Sequence, residues 1–212
     1  MKKFIIPNWL HKSSTVKVEN LGIYAKELHN LVNAVVDLET SNTRFYAISD
    51  IAKFKIYCPK LYLELQHLEL ASILSWVGFS IINARWANQE FKIHTDPISH
   101  DSIGLNLPVL NCENSWTVWY APESVTESNT PFGEYYMFDG RIADGSGAVR
   151  YEDENVVEIG RCSYETASWV NACIPHGVDR KHNNTRIVAS LRFNESIMDY
   201  FENPRLYSKI VA

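Results

Sequence analysis

The triplet His94-Thr95-Asp96 carries two side chains that commonly bind metal ions, separated by one residue. Side chains alternate between the two faces of a β-strand, so on a strand His94 and Asp96 point to the same side. A second imidazole, His176, follows about 80 residues later. Two histidines and one carboxylate form the facial triad that holds non-haem Fe(II) and leaves coordination positions open. The sequence therefore predicts a metal site at these three residues.

A second triplet, His67-Leu68-Glu69, has the same spacing in a different context. It lies within residues 60–74, a long segment rich in helix-forming residues. On a helix, residues two apart point in directions that differ by roughly 200°, so they cannot converge on one ion. We therefore exclude His67 from the metal site.

Short strands are predicted to position the first two ligands. Residues 79–86 and 90–96 flank a short polar connection, which is typical of a β-hairpin. Pro97 ends the second strand and would place His94 and Asp96 at its rim. The alternative is a surface histidine that happens to lie near an aspartate.

His176 and Arg186 extend the candidate site. His176 ends an apolar row of alternating residues if residues 170–176 form one strand, where it either ligates a metal or makes a structural hydrogen bond. The polar segment 179–184 predicts a turn, so Arg186 begins the next strand and can lie close to His176. A guanidinium aimed into an apolar interior needs an anion, and a dicarboxylate fits its bidentate geometry. The alternative is a surface arginine on an edge strand.

Length, composition and charge limit the classes of protein to be considered. The chain has 212 residues, of which 46% are hydrophobic and 12% aromatic, as expected for one packed globular domain. Its net charge of −5 provides no general attraction to nucleic acid. A small-molecule or peptide substrate is therefore favoured, and the oligomeric state is left open.

The cysteines and the N-terminus predict a soluble, cytoplasmic protein. Four cysteines without Cys-x-x-Cys spacing indicate reduced thiols. The first apolar run is too short for a signal peptide and is broken by Pro7 and Asn8. An apolar span of 18 residues, as a transmembrane helix needs, is absent from the sequence.

The periodicity of apolar residues divides the chain into a helical and a strand-rich part. Helices are predicted over residues 20–38 and from Pro59 to about Trp76. The strand-like segments further along the chain are 104–110 and 115–120, predicted as a hairpin, followed by 156–159, 169–174 and 185–193. This order predicts a mainly β fold with N-terminal helices, namely a jelly roll buttressed by α-helices.

The expected organisation is a single domain over residues 1–212. Its parts are a helical N-terminal support (1–78), a jelly-roll core (79–194) and a C-terminal tail (195–212). Residues 121–147, rich in Pro, Ser, Thr, Asn and Gly, form an insertion within the core that either covers a substrate or packs against the body.

The order His-x-Asp, His and, ten residues later, Arg resembles the 2-oxoglutarate/Fe(II)-dependent oxygenase superfamily. Residues 93–96, 104–120, 175–178 and 185–193 are similar to uncharacterised members from bacteria and phages. The resemblance covers about residues 79–120 and 168–194 and implies a double-stranded β-helix, the cupin-like form of the jelly roll.

The resemblance also implies cofactors and roles. Fe(II) would be held by His94, Asp96 and His176, and 2-oxoglutarate would chelate the metal, with its distal carboxylate on Arg186. O2 would then be used to hydroxylate a substrate with release of succinate and CO2. An amino-acid side chain or a small metabolite is the favoured substrate.

Two further residues are candidates for contacts with the cosubstrate. Arg192 shares a strand face with Arg186, and Asn106 lies on the strand after the metal-binding triplet. The spacing of the two arginines also occurs in nucleic-acid-repair members of the superfamily, a substrate that the acidic composition does not favour.

Two other functions are compatible with the sequence. A zinc hydrolase could use His94, Asp96 and His100, since metal sites often use short spacings, but His176 and Arg186 would then have no role. A jelly-roll binding module without catalytic turnover is the second possibility. A simple cupin is less favoured because its usual His-x-His pair is absent.

Overall fold

A computed structural model of the chain describes residues 7–38, 45–83, 93–96, 100–122, 141–143, 148–150 and 156–212. The helices in this part of the chain are α1 (Leu21–Asn33), α2 (Ile51–Tyr57), α3 (Pro59–His67), α4 (Ile197–Glu202) and α5 (Pro204–Ile210), with 3-10 turns at Val18–Asn20 and His100–Ser102. The strands are β1 (His11–Ser13), β2 (Phe45–Ile48), β3 (Leu74–Ile82), β4 (His94–Thr95), β5 (Ile103–Leu110), β6 (Ser115–Pro122), β7 (Arg141–Ala143), β8 (Ala148–Arg150), β9 (Val156–Ser163), β10 (Ser168–Asn171), β11 (His176–Arg180) and β12 (Arg186–Phe193).

The strands form two antiparallel sheets of six strands each. The first sheet has the order β1-β10-β5-β12-β3-β2, and the second has the order β7-β8-β4-β11-β6-β9. Polar contacts join them face to face: Arg192 on β12 contacts Asp96, which follows β4 of the second sheet. The fold is therefore mainly β, as the sequence analysis predicted, with helices at both ends of the chain.

The main core lies between the helices and the outer face of the first sheet. Helix α1 has an apolar face at helical spacing, and its buried residues are Leu21, Tyr24, Leu28, Leu31 and Val32. These side chains join one hydrophobic cluster with alternate residues of β12, namely Ile187, Ala189, Leu191 and Phe193. The helices thus cover one face of the first sheet.

Strand β12 is buried on both faces, which accounts for its composition. All eight of its residues are buried. The residues between the core positions are Arg186, Val188, Ser190 and Arg192, and they face the second sheet across what we call the inter-sheet space. A strand in the middle of a sheet therefore carries two arginines on its inner face.

Neither predicted hairpin is found among the described residues. Strand β3 pairs with β12 and β2 in the first sheet, whereas β4 pairs with β11 and β8 in the second. Residues 84–92, which include the predicted connection between them, lie outside the described residues. Strands β5 and β6 also belong to different sheets. Between them, Asn111 and Asn114 adopt positive φ values of 47° and 54°, a backbone conformation that asparagine tolerates and that turns the chain from one sheet to the other.

The predicted continuous strand over residues 170–176 is interrupted. Strand β10 ends at Asn171 in the first sheet, and β11 begins at His176 in the second. The four residues between them change sheets. An alternating apolar pattern indicates which face of a strand is buried, but it does not identify the sheet to which the strand belongs.

The ends of the chain also differ from the prediction. Helix α3 ends at His67 rather than near Trp76, Glu69 has a φ of 63°, and β3 begins at Leu74. Aromatic and β-branched residues favour a strand in that segment. The helical support predicted for residues 1–78 therefore also contains β1, β2 and part of β3, and the expected tail at 195–212 contains α4 and α5.

None of the helices in the described residues has both the length and the apolar character that crossing a membrane requires.

Candidate metal centre

Hydrogen bonds between strands bring the three predicted ligands together. His176 at the start of β11 lies directly opposite His94 on β4. Asp96 follows β4, and its backbone N–H donates to the carbonyl of Ala172 at 2.8 Å. The possible ligand atoms of His94, Asp96 and His176 all lie within 4.8 Å of one another. The structure therefore places all three residues of the predicted triad at one point.

The spacing of these atoms suits a single metal ion. The two imidazole rings have centroids 4.5 Å apart and are tilted by 46°, and His94 Nε2 lies 4.0 Å from Asp96 Oδ1. Metal–ligand bonds to nitrogen and oxygen are roughly 2.0–2.2 Å, so ligand atoms on adjacent coordination positions are on the order of 3 Å apart. Small side-chain rotations would close the triad around an ion.

A backbone carbonyl sets the tautomer of His176. Its Nδ1 lies 2.9 Å from the carbonyl oxygen of Ile174, which can only accept, so Nδ1 carries the proton. The lone pair of Nε2 is then available to a metal. Burial, and next the neighbouring His94, lower the pKa of His176 below the ordinary 6.5. This imidazole is therefore neutral near pH 7, the form that a metal ion binds.

Arg192 supports the carboxylate of the triad. Its Nη2 lies 3.4 Å from Asp96 Oδ2, and its Nη1 donates to the carbonyl of Asp101 at 2.6 Å. The guanidinium also lies over the ring of Trp76, 5.6 Å from its centroid. Asp96 thus directs Oδ1 to the histidine side and Oδ2 to Arg192. Arg192 was expected to contact the cosubstrate, whereas in the structure two of its nitrogens have other partners.

Gly104 makes room for Arg192. The two residues are opposite each other in the pairing of β5 with β12. A Cβ at Gly104 would lie 2.7 Å from Ser190 Oγ and 2.8 Å from Arg192 Nε, closer than real Cβ contacts. A glycine inside a strand often marks such a close approach. The glycine at 104, inside a predicted strand, was a sequence signal that a side chain approaches the backbone there.

Arg186 lies at the other end of the same strand. It is 1% exposed, its guanidinium lies 4.8 Å from the centroid of the Tyr164 ring, and β12 is paired on both sides. The alternative of a surface arginine on an edge strand is therefore wrong. Arg186 and Arg192 are six residues apart, which corresponds to about 20 Å along a strand. Only Arg192 lies at the ligand end of the inter-sheet space.

The charge of Arg186 has no counterpart among the described residues. Its Nε and Nη1 are buried without a hydrogen-bond partner in this part of the chain. Burial of an unpaired charge is costly, and buried charges are normally paired. The arrangement is therefore typical of a site that binds an anion.

Asn106 and Tyr164 connect the two sheets. Asn106 on β5 is paired with Ser190 on β12 and donates from Nδ2 to the Tyr164 hydroxyl at 3.4 Å. The same hydroxyl forms a hydrogen bond with Thr117 Oγ1 on β6. Asn106 Oδ1 and Ser190 Oγ are buried and have no partner in the described part of the chain. Polar side chains of both sheets thus meet in the inter-sheet space.

The sequence analysis missed Tyr164 and Thr117. Tyr164 follows β9 and has no spacing relationship to the triad, and Thr117 lies in an ordinary alternating strand. Their partners are 58 and 47 residues away along the chain. Such contacts depend on the tertiary structure and have no local sequence signal.

Some predicted features cannot be placed. The side chain of His100 and most of the insertion 121–147 lie outside the described residues. His67, which was excluded, ends helix α3.

No protein-family model and no curated protein matches the chain. Among solved structures, the chain is similar to HygX from Streptomyces hygroscopicus with nickel and 2-oxoglutarate bound, with a TM-score of 0.44 and 10% identity over 87% of this chain and 81% of HygX. The apo form of HygX gives a TM-score of 0.42 with 11% identity (87% and 80% covered), and the iron-bound form gives 0.41 with 10% identity (85% and 79% covered). Similarities this weak do not establish a function for the chain.

Proposed function

We propose that this protein is an Fe(II)- and 2-oxoglutarate-dependent dioxygenase that hydroxylates an organic substrate. One observation carries the proposal: a cluster of two histidines and one aspartate lies beside the same inter-sheet space as a buried arginine, two of whose donors have no partner in the part of the chain that the structure describes. The cluster offers ligands for iron, and the arginine offers donors for a carboxylate. A dicarboxylate that binds the metal at one end and an arginine at the other would use both features.

The path of the chain supports a double-stranded β-helix. Consecutive strands of the described residues change sheets at six places: from β3 to β4, β4 to β5, β5 to β6, β9 to β10, β10 to β11 and β11 to β12. The two sheets face each other and are joined by side-chain contacts across the inter-sheet space. Such alternation between facing antiparallel sheets is the course of a jelly roll.

The triad would hold the metal. His94, Asp96 and His176 would bind Fe(II) and leave positions open for cosubstrate and O2. The carbonyl of Ile174 orients His176 through Nδ1, and Arg192 orients Asp96 through Oδ2. Partners of this kind fix the direction of a metal ligand.

Arg186 would bind the distal carboxylate of 2-oxoglutarate through Nε and Nη1, two buried donors without a partner among the described residues. Asn106 and Ser190 supply further buried polar atoms along the same face. When bound, Fe(II) and 2-oxoglutarate supply the chemistry in which O2 is used to form succinate, CO2 and a hydroxylated C–H position. The chain's part is to orient the ligands and the cosubstrate and to exclude water.

The geometry favours this function over the zinc hydrolase. Among the described side chains, the residue that completes the cluster with His94 and Asp96 is His176, which lies eighty residues after Asp96 in the chain. A hydrolase would also leave the buried charge of Arg186 without a role. A binding module with the same fold would share the site and differ only in turnover.

Anaerobic addition of Fe(II) and then 2-oxoglutarate to the purified protein tests the proposal. We expect a weak visible charge-transfer band and, after O2 is admitted, slow release of succinate. A tight colourless zinc site that 2-oxoglutarate does not affect would support the hydrolase instead. A cosubstrate complex without succinate release under any condition would support the binding module.

The substrate we propose is an amino-acid side chain, free or in a peptide, or another small metabolite. The net charge of −5 does not favour nucleic acid. A screen for succinate release above the uncoupled rate, with amino acids, peptides, metabolites and oligonucleotides as separate arms, would identify the class. Stimulation by oligonucleotides alone would contradict the proposed substrate class.

A further inference from the structure

A second arginine faces the inter-sheet space at the same end as Arg186. Arg180 ends strand β11, four residues after His176, so the two side chains lie on the same face of the strand. The outer face is marked by Asp179, whose carboxylate pairs with the exposed Arg161. His176 belongs to the metal site and points to the inner face, so Arg180 lies on the inner face as well.

The partner of Arg180 across the sheet is also polar. Ser115 on β6 is opposite Arg180 in the pairing of β11 with β6, so both side chains share one face. Ser115 is 1% exposed, and its Oγ is buried without a hydrogen-bond partner among the described residues. Arg180 Nη1 donates to the carbonyl of Asn184 at 3.2 Å, while its Nη2 is buried and has no partner there.

Arg180 and Arg186 are close enough for their charges to interact. Burial, and next the positive charge of Arg186, lower the pKa of Arg180. Neither guanidinium forms an ion pair with a carboxylate in the described part of the chain. Two like charges with buried, unpartnered N–H groups repel each other unless an anion lies between them.

We propose that Arg180 and Arg186, with the hydroxyl of Ser115, form a two-arginine clamp that binds one carboxylate group. The donors come from both sheets: Arg180 and Ser115 from the second, and Arg186 from the first. If the proposed function holds, on which this assignment of the ligand rests, the bound group is the distal carboxylate of 2-oxoglutarate.

The distance along β11 fits a dicarboxylate of this length. Four residues of strand separate His176 from Arg180, which corresponds to about 13 Å between their Cα atoms. Both residues belong to the inner face of β11, where the possible ligand nitrogen of His176 lies in the triad and Arg180 Nη2 is buried. An extended five-carbon diacid would bind metal at one end and reach the clamp at the other, so Arg180 selects for the second carboxylate.

The test compares wild type with Arg180→Gln and with Arg161→Gln, an exposed arginine of the outer face that serves as control. Affinities for 2-oxoglutarate and for 2-oxopentanoate, which lacks the distal carboxylate, are measured anaerobically on the Fe(II)-loaded protein. We expect Arg180→Gln to weaken 2-oxoglutarate binding about 10- to 100-fold, the range for a lost charge-assisted contact, and to leave 2-oxopentanoate unchanged. The control should leave both affinities unchanged.

A second measurement separates the clamp from the oxygenase proposal. Glutarate binding to the metal-free protein is followed by calorimetry, and Arg180→Lys, which keeps the charge, should retain more affinity than Arg180→Gln. If wild type binds 2-oxoglutarate and Arg180→Gln binds it equally well, the clamp is wrong and the oxygenase proposal stands. If wild type binds only glutarate, and Arg180→Gln loses it, the clamp stands and the oxygenase proposal fails. If wild type binds neither diacid, both are wrong.

Discussion

His176 and His94 lie directly opposite each other on antiparallel strands β11 and β4, with ring centroids 4.5 Å apart. The two histidines of the proposed metal site are therefore positioned by the hydrogen-bonded pairing of two strands. Asp96 is held in the same frame, because its N–H bonds to Ala172, in the connection between β10 and β11. Sites held by regular backbone pairing keep their ligands close to the required geometry before the metal arrives.

Replacing His176 should remove metal binding without unfolding the protein. His176→Ala leaves two ligands, and we expect the affinity for Fe(II), or for Co(II) as a spectroscopic substitute, to fall about 100-fold or more. Anaerobic metal titration measures this change. His29→Ala, at a half-buried histidine of α1 outside the triad, is the matched control and should bind metal as wild type does. Equal affinity in both variants would remove His176 from the site.

Arg192 should act through Asp96. Arg192→Met removes the guanidinium that holds Oδ2 and keeps much of the side-chain volume, and we expect metal affinity to fall about 10- to 100-fold, as for other partners of metal ligands. Once the metal is saturating, the affinity for 2-oxoglutarate should change much less. If cosubstrate affinity falls while metal affinity is kept, Arg192 binds the cosubstrate, as the sequence analysis expected.

Arg186 should lower the free energy of unfolding of the ligand-free protein. Its charge is buried and two of its donors have no partner in the described residues, so Arg186→Met should raise the free energy of unfolding of the metal-free protein by about 1–3 kcal/mol. The same variant should lose 2-oxoglutarate binding and succinate release. Urea unfolding and anaerobic titration provide the two measurements. A strongly destabilised variant would show that Arg186 has a structural role in the fold.

The ligands could be predicted from the sequence because strand alternation is a local property. His94 and Asp96 share a face whenever their segment is extended, whichever strand lies next to it. The partner strands could not be predicted in this way. Both hairpins were placed within one sheet, because an alternating segment carries no information about which sheet it joins.

The contacts that support the site are the part that the sequence leaves open. Arg192 reaches Asp96 across 96 residues of chain, and Tyr164 reaches Asn106 across 58. Arg186 is buried, as expected of an arginine that binds an anion in an apolar interior, and its place after the turn at 179–184 was the local signal. Its proximity to Arg180 depends on how the two sheets face each other, which no local pattern encodes.

Gly104 should be required for the position of Arg192. In Gly104→Ala, the new Cβ lies too close to Ser190 Oγ and Arg192 Nε, so one or both side chains must move. We expect a loss of about 1–3 kcal/mol in the free energy of unfolding and weaker metal binding. Gly22→Ala is the control, because a Cβ there meets nothing within 4 Å. That variant should be as stable as wild type or more stable by up to about 1 kcal/mol, since Gly22 lies in helix α1.

The pKa of His176 gives the metal-free protein a defined dependence on pH. The folded-state pKa is lowered from 6.5, mainly by burial, whereas the unfolded chain keeps the ordinary value. Above pH 6.5 the imidazole is neutral in both states and pH has little effect through this group. As the pH falls below 6.5, the unfolded chain takes up a proton that the folded protein does not, so the free energy of unfolding decreases until the folded pKa is reached.

The variant His176→Gln should show a smaller decrease in the free energy of unfolding over this pH range. Burial also lowers the pKa of His11, but that residue is present in both proteins and makes the same contribution to each. Urea unfolding from pH 4.5 to 7.5 measures the difference, and parallel curves for the two proteins would contradict the assignment of a neutral imidazole to His176.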